Sequence, residues 1–360
     1  MGRTPLRTLP LPTEWGITLY LKDESAQPTG SLKHRLARAL FAHGVAAGLI
    51  REGGTIVEAT GGAMAVAEAY FARLLGLSYV AVMPGEPSAE RSAPVENLGG
   101  RCRFVTPPLA IYEAAHRLAE ETGGYYMDHF SAAGAADWRS GDLAGELFAQ
   151  LREAGGSGEA SEVATRDDAR PVGEAGEAMP RWVVVGAGTG ATSTVLGRHI
   201  REHALTTRLA VADPENSAYF PGWASGADDY ATGMPSRIEG VGRPRMEPGF
   251  TPSLVDVVVP VPDAASVAGA RHVRTMTGLP VGGSTGTNLW GAFELIHRMR
   301  RDGIRGSVVT LIADAGPRHL RTYHDDAWAL KKGLDVRPYT AALERVLNGD
   351  PWRPPARPGS

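Results

Sequence analysis

Two kinds of apolar pattern alternate along the chain. Short, nearly continuous apolar runs predict buried β-strands, and longer segments with apolar residues every three or four positions predict amphipathic helices. The predicted strands read ITLYLK, TIVEA, SYVAVMP, CRFV, WVVVGAG, RLAVADP, VDVVVPVP and SVVTLIAD. The predicted helices read LARALFAHGVAAGLI, GGAMAVAEAYFARLLGL, SAERSAPVENLG, LAIYEAAHRLAEET and TSTVLGRHIREH, with two more before the last strand. Because regular strand–helix alternation is typical of parallel sheets covered by helices, we predict an α/β fold with two such units.

Two segments carry neither pattern. The stretch GGSGEASEVATRDDARPVGEAGEAMP is rich in Gly, Ala and Glu and poor in large apolar residues, which predicts a mobile, disordered insertion at residues 155–180. The segment DPWRPPARPGS is rich in proline and predicts disorder as well.

Composition favours a soluble protein that acts on small molecules. The 360 residues are 43% hydrophobic and can bury a sizeable core. The net charge is −3, the pI is near 6.4 and no basic block stands out, so nucleic acid and anionic membrane are not favoured as partners. The single Cys102 cannot form an intrachain disulfide, and MGRTPLRTLP lacks the apolar core of a signal peptide. No apolar run approaches the ~20 residues that span a bilayer. We therefore expect a cytoplasmic protein.

The segment PTGSLKHR, residues 28–35, places a lysine between a strand and a helix. One interpretation is structural: Ser31 caps the helix and Lys33 lies in its solvated first turn. A cation is nevertheless disfavoured at the positive end of a helix. The alternative interpretation is that the turn holds Lys33 as a reactive group.

A glycine-rich turn follows the predicted strand WVVVG in VVVGAGTGATSTVLG. Gly186, Gly188 and Gly190 allow the backbone to approach a ligand closely, and the helix that follows offers unpaired N–H groups to an anion. The spacing departs from a dinucleotide fingerprint because the third glycine comes too early. By itself the turn is as compatible with a structural role as with a phosphate site.

A further glycine-containing turn, ADAG, ends the last predicted strand. With these features the chain resembles the pyridoxal-phosphate enzymes of the cysteine synthase and cystathionine β-synthase family, the fold type II or tryptophan synthase β-like enzymes. The resemblance covers residues 17–330 apart from the insertion and is closest to a bacterial branch described as L-cysteine desulfhydrases. The segments that carry it are PTGSLKHR, EAYFARLLGL, VMPGEPSAER, GGRCRFV, DPENSAYFPGWASG, SRIEGVGRPR and VGGSTGTNLWGAFELI.

The resemblance implies two domains, a cofactor and a homodimer. It implies a smaller, mobile substrate-side domain at residues 38–145, a larger cofactor-binding domain at 1–37 and 146–335, and a tail at 336–360. Lys33 is expected to form a Schiff base with pyridoxal 5'-phosphate and later to move protons. The cofactor phosphate is expected to bind Gly188, Thr189, Gly190, Ala191 and Thr192, with Ser284 also on the cofactor side.

Several positions depart from the pattern of this family. The loop that usually supplies hydroxyl donors to the cofactor and to the substrate carboxylate reads Thr60, Gly61, Gly62, Ala63, Met64. His129 stands where relatives place a glutamine that contacts the carboxylate, and Ala315 replaces the serine that faces the pyridine nitrogen. Each lost neutral hydrogen bond is worth ~0.5–1.5 kcal/mol, so cofactor binding can survive. The altered loop favours a modified or larger amino acid as substrate.

Other residues have structural interpretations that stand beside functional ones. His129 is as readily an ordinary buried histidine, and Cys102 is best explained as a small core residue. The segment DPEN, residues 213–216, suits a turn better than a metal site, and no metal is expected. Ser284, Thr285 and Asn288 open a helix and can serve as caps.

Three functions remain open from the sequence. The first is β-elimination through an aminoacrylate intermediate, in which Lys33 removes the α-proton of an amino acid. The second is β-replacement through the same intermediate, in a synthase of specialised metabolism. The third is a homologue without catalysis that binds a ligand or a partner protein. The retained PTGSLKHR favours an enzyme.

Overall fold

The computed structural model describes residues 2–135, 143–156 and 179–355. The strands are β1 (Leu6–Leu9), β2 (Ile17–Asp23), β3 (Thr55–Ala59), β4 (Ser78–Pro84), β5 (Arg101–Val105), β6 (Tyr125–Tyr126), β7 (Trp182–Gly186), β8 (Arg208–Pro214), β9 (Val257–Val261) and β10 (Gly306–Ile312). The helices are α1 (Lys33–Ala46), α2 (Ala63–Leu74), α3 (Ala89–Glu96), α4 (Ile111–Thr122), α5 (His129–Ala135), α6 (Leu143–Gly156), α7 (Ala191–Glu202), α8 (Tyr219–Ser225), α9 (Asp263–Thr277), α10 (Gly283–Arg301), α11 (Asp326–Lys331) and α12 (Arg337–Leu347).

The larger sheet has six strands in the order β1-β2-β10-β7-β8-β9. All neighbours are parallel except β1, which pairs antiparallel with β2. Successive side chains of a strand point to opposite faces of the sheet, so alternate side chains of β7 pack in two different cores. Val184 packs in a core with α9, α10 and α12, whereas Val183 and Val185 pack in a core with α6 and α7. Helices therefore cover both faces, which explains why these strands read as continuous apolar runs.

The smaller sheet has four parallel strands in the order β5-β4-β3-β6. Ile56 and Met83 pack against α1 and α2 on one face, and Val57 and Val82 pack against α4 on the other. The α/β class with parallel sheets flanked by helices is thereby confirmed. The bounds of the two domains stay a prediction.

Residues 336–360, named as a tail, begin with a helix that packs on the larger sheet. Residues 337–347 form α12, whose Leu343 and Val346 are buried in the core of that sheet. Trp352, inside the segment predicted to be disordered, is 6% exposed and packs its indole against Trp290 and Phe293. A single large aromatic side chain thus anchors a proline-rich segment. The predicted insertion at 155–180 falls largely outside the described residues.

Secondary structure that the sequence did not predict includes β1, β6, α5, α6, α8 and α11. Among the described helices, none combines the length and the hydrophobicity that crossing a membrane requires.

Candidate functional site

A cavity of about 510 Å³ lies where the carboxyl ends of strands from both sheets meet. In open parallel α/β sheets this edge is the usual place for a ligand. The predicted site residues that line it are Lys33, Thr60, Gly62, Ala63, Met64, His129, Gly188, Thr189, Gly190, Thr192 and Ser284. Residues far apart in sequence are therefore brought together, as the resemblance implied.

Three predicted residues lie outside the lining of this cavity. Ala191 lines a small neighbouring pocket of about 50 Å³, and a side chain at Gly61 would meet Arg91 and Pro84. Ala315 packs beside the core of the larger sheet, and it is Asp314 that lines the cavity in its place. Met64 lines the cavity but is 2% exposed and belongs to the core between α1 and α2.

Lys33 is the first residue of α1, and the turn before it is tied to the end of β10. The Leu32 N–H donates to the Ala313 carbonyl at 2.7 Å, and Ser31 forms a β-bridge with Asp314. Of the two interpretations, the capping role of Ser31 is wrong: Leu32 stands at the N-cap, and the buried hydroxyl of Ser31 has no hydrogen-bond partner within the described chain. The turn thus holds the lysine at the cavity instead of capping the helix.

Burial lowers the pKa of the Lys33 ammonium from its usual 10.5 to about 8. The carboxylate of Asp314 opposes this change, the guanidinium of Arg243 adds to it, and Glu239 opposes it. Removal from water disfavours the charged form of an amine, so a substantial fraction is neutral near pH 8. A neutral amine is the form that acts as a nucleophile.

The sequence contains four lysines, and the other three are placed differently. Lys22 is fully buried and donates to Glu146 and Gln150, while Lys331 and Lys332 are exposed. Lys33 is the lysine that combines a lowered pKa with a place in the cavity wall.

The turn after β7 brings backbone close to that amine. A Cβ atom at Gly188 would lie 3.6 Å from Lys33 Nζ and 2.4 Å from the Gly240 carbonyl oxygen, so only glycine fits there. Gly190 has φ +83° and a Cβ there would lie 2.3 Å from the Phe250 nitrogen. Helix α7 begins immediately afterwards, and its first N–H groups lack intrahelical partners. The turn can therefore hold an anionic group within reach of Lys33.

A network of charges forms the wall beside Asp314. Asp314 Oδ2 accepts from Arg318 Nη2 at 2.5 Å and lies 3.0 Å from His319 Nε2. Arg318 Nη1 donates to Glu239 Oε1 at 2.7 Å. Although burial alone would raise it, the pKa of Asp314 is lowered by His319 and Arg318. No local sequence pattern pointed to this network.

A second cluster lies behind His129, the first residue of α5. The ring is 4% exposed, and Nδ1 lies 3.0 Å from Oε2 of Glu58, a carboxylate in β3. Glu68 of α2 lies beside Glu58. The interpretation of His129 as an ordinary buried histidine does not account for these two carboxyl groups beside its ring. The only sequence signal was an acidic residue inside the apolar run TIVEA.

Arg243 is a further cavity residue that the sequence analysis missed. Its guanidinium lies 3.9 Å from the centre of the Phe130 ring and donates to Glu247 at 2.9 Å.

The capping interpretation of the start of α10 is wrong, because Gly282 stands at the N-cap and no side chain caps the helix. Thr285 accepts from the Ala313 N–H and Asn288 donates to the Leu311 carbonyl, so both residues tie α10 to β10. The turn interpretation of the segment DPEN agrees with the structure, since Glu215 and Asn216 form a turn directly after β8 and Asn216 has φ +63°. Burial raises the pKa of Cys102 to about 11, which disfavours a reactive thiolate.

Comparisons with known proteins agree with this geometry. The family model described as "Pyridoxal-phosphate dependent enzyme" matches residues 1–314. L-cysteine desulfhydrase Cds1 of Mycobacterium tuberculosis (strain ATCC 25177 / H37Ra) is 49% identical over 97% of this chain and 91% of that protein. O-ureido-L-serine synthase of Streptomyces lavendulae is 26% identical over 91% and 94% of the two chains. The crystal structure of O-ureido-L-serine synthase matches with a TM-score of 0.72 and 25% identity, covering 91% and 96%.

The family match spans most of the chain, and the resemblance seen in the sequence is confirmed. The residues around Lys33 fit the cofactor of that family, since they offer an amine beside a backbone cradle for an anion. This chain therefore belongs to the pyridoxal-phosphate dependent enzymes of fold type II.

Proposed function

We propose that the chain catalyses β-elimination from L-cysteine or from a larger β-substituted amino acid. The observation that carries this proposal is the placement of Lys33. Its pKa is lowered to about 8, and its Nζ lies 3.6 Å from the point that a Cβ atom would occupy at Gly188. The similarity to an L-cysteine desulfhydrase supports the same reaction.

Lys33 has two tasks in this proposal. Its neutral amine would hold the cofactor at the aldehyde carbon, and the same nitrogen, once it is free again, would take the proton from Cα of the amino acid. When bound, pyridoxal phosphate supplies an electron sink that makes this Cα–H acidic. The cofactor phosphate is assigned to the segment 188–192 and to the N-terminus of α7, with Ser284 and Asp314 on the ring side.

The substrate carboxylate is assigned to the start of α2. Gly62 stands at the N-cap of that helix, and the N–H groups of Gly61, Gly62 and Ala63 take the place of the side-chain donors that relatives have in this loop. A cavity of about 510 Å³ has room for a cofactor together with an amino acid.

β-Replacement is the second candidate, because the chain also resembles O-ureido-L-serine synthase. We further propose that the enzyme is a cytoplasmic homodimer whose smaller domain moves when substrate binds. Light scattering of the purified protein measures the subunit number directly.

The test begins with the holoenzyme and L-cysteine. Release of sulfide and pyruvate in equal amounts supports elimination, whereas a new amino acid formed only when a second nucleophile is added supports replacement. Lys33→Ala should abolish both the visible absorbance of the lysine-bound cofactor and the activity. Lys331→Ala, at an exposed lysine, is the matched control. A protein that binds no cofactor, or whose absorbance persists in Lys33→Ala, contradicts the proposal.

A further inference from the structure

Four buried side chains form a continuous chain of contacts that ends at the cavity. The Tyr79 hydroxyl donates to Glu68 Oε2 at 2.8 Å, and His129 Nδ1 lies 3.0 Å from Glu58 Oε2. A ligand atom from each of Glu58, Glu68 and His129 lies within 4.8 Å of the others. The four side chains belong to four elements, β3, α2, β4 and α5, and each residue is at most 4% exposed. Nothing in the reaction assigned to Lys33 uses them.

The two carboxyl groups share one proton. Burial, and then the negative charge of Glu58, raise the pKa of Glu68 well above its usual value, and Glu68 is hydrogen-bonded to Glu58. Two carboxylates held this close inside a protein cannot both be ionised. Glu58 is the member that carries the charge, since its oxygens accept from the backbone N–H groups of Ala59 at 2.6 Å and His129 at 3.0 Å. Glu68 is the neutral member.

A single buried anion therefore faces one edge of the His129 ring. Glu58 Oε2 already accepts from the backbone of His129, and Nδ1 approaches the same oxygen without the alignment of a full hydrogen bond. Such contacts tighten when substrate closes a site. An anion beside Nδ1 favours a proton on that nitrogen and stabilises an imidazolium, as the buried aspartate does in a serine protease triad. The ring itself lines the cavity that contains Lys33.

We propose that His129 is the acid that protonates the leaving group, with Glu58 and Glu68 as positioning residues. This inference rests on the proposed β-elimination. For cysteine, the bond between Cβ and sulfur breaks, the bonding pair stays on sulfur, and the proton on His129 Nε2 moves to sulfur, so that hydrogen sulfide leaves. The imidazole then regains a proton from water. Lys33 removes the α-proton, so base and acid are separate groups.

The first test compares two leaving groups. Chloride leaves without a proton, so β-chloro-L-alanine does not need the acid, whereas L-cysteine does. His129→Gln, which keeps a polar side chain of similar reach, should raise the ratio of kcat for β-chloro-L-alanine to kcat for L-cysteine by ~10²-fold or more. An equal loss of kcat on both substrates would overturn the inference, and His129 would then contact the substrate carboxylate or have a structural role. If the wild-type enzyme eliminates from neither substrate, the proposed function fails and the inference fails with it.

The second test needs no turnover. Nitrogen-15 NMR of the histidine side chains in the full-length protein reports which ring nitrogen of His129 carries the proton. We expect a protonated Nδ1 in the wild type and in Glu68→Gln, because an amide replaces a carboxyl group that is already neutral. Glu58→Gln should change this signal, since it removes the anion. The same His129 signal in both glutamine variants would contradict the assignment of the charge to Glu58.

Discussion

The lowered pKa of Lys33 predicts how its reaction with the cofactor depends on pH. A decrease from 10.5 to about 8 is a difference of 2.5, which corresponds to ~3 kcal/mol in favour of the neutral amine. At pH 8 about half of the Lys33 side chains are then neutral, compared with about 0.3% for an ordinary lysine. The rate at which cofactor-free protein captures pyridoxal phosphate should rise about tenfold per pH unit below pH 8 and level off above it.

Rapid mixing with detection of the visible absorbance measures this rate from pH 6 to pH 10. Capture of the same cofactor by a simple alkylamine corrects for the ionisation of pyridoxal phosphate itself. Two variants test the cause: Asp314→Asn should move the midpoint to lower pH, since that carboxylate raises the pKa of Lys33, and Arg243→Gln should move it to higher pH. A corrected rate that keeps rising up to pH 10 refutes the reasoning, because Lys33 would then be an ordinary exposed amine.

Three further changes have defined consequences. Glu146→Gln should lower the unfolding free energy by ~3–5 kcal/mol at pH 7, because it removes the ion-pair partner of the buried Lys22, whereas Glu153→Gln at an exposed ion pair should cost under ~1 kcal/mol. Because its ion pairs lower the pKa of Glu146 to about 2, the stability it supplies is present above pH 4.5 and is lost as the pH falls toward 2, which denaturation at several pH values measures. Gly188→Ala should weaken cofactor binding about tenfold or more in equilibrium titration, since its Cβ would lie 2.4 Å from the Gly240 carbonyl oxygen. Trp352→Ala should lower the unfolding free energy by ~3–5 kcal/mol in the same denaturation assay. An unchanged unfolding midpoint would contradict the burial of Trp352 and support disorder of the proline-rich segment.

Local patterns were enough to predict the α/β fold and to single out Lys33, which lies in the cavity wall. Continuous apolar runs identify buried parallel strands without reference to other parts of the chain, and PTGSLKHR is a contiguous signal. The partners of buried charges are different, because they are defined only by the fold. Lys22 lies in a strand and is neutralised by Glu146, which is 124 positions away. Likewise, no residue near Glu58 in sequence predicts its contact with His129, which is 71 positions away.

Gly61, one of the departures from the family pattern, has a physical explanation in a neighbouring side chain. A Cβ at Gly61 would lie 2.5 Å from Arg91 Nη2 and 3.0 Å from Pro84 Cδ. Arg91 Nη1 in turn donates to the Pro84 carbonyl at 2.7 Å. A side chain with a hydroxyl donor therefore cannot be restored at this position without moving the end of the Arg91 side chain.

Gly61 and the present position of Arg91 consequently depend on each other. The loop has changed together with a charged side chain from another element, which favours a remodelled site over one that has lost catalysis. A reversal experiment is therefore informative: Gly61→Ser alone should impair the enzyme because it displaces Arg91 from the Pro84 carbonyl, although the substitution restores a hydroxyl that relatives use.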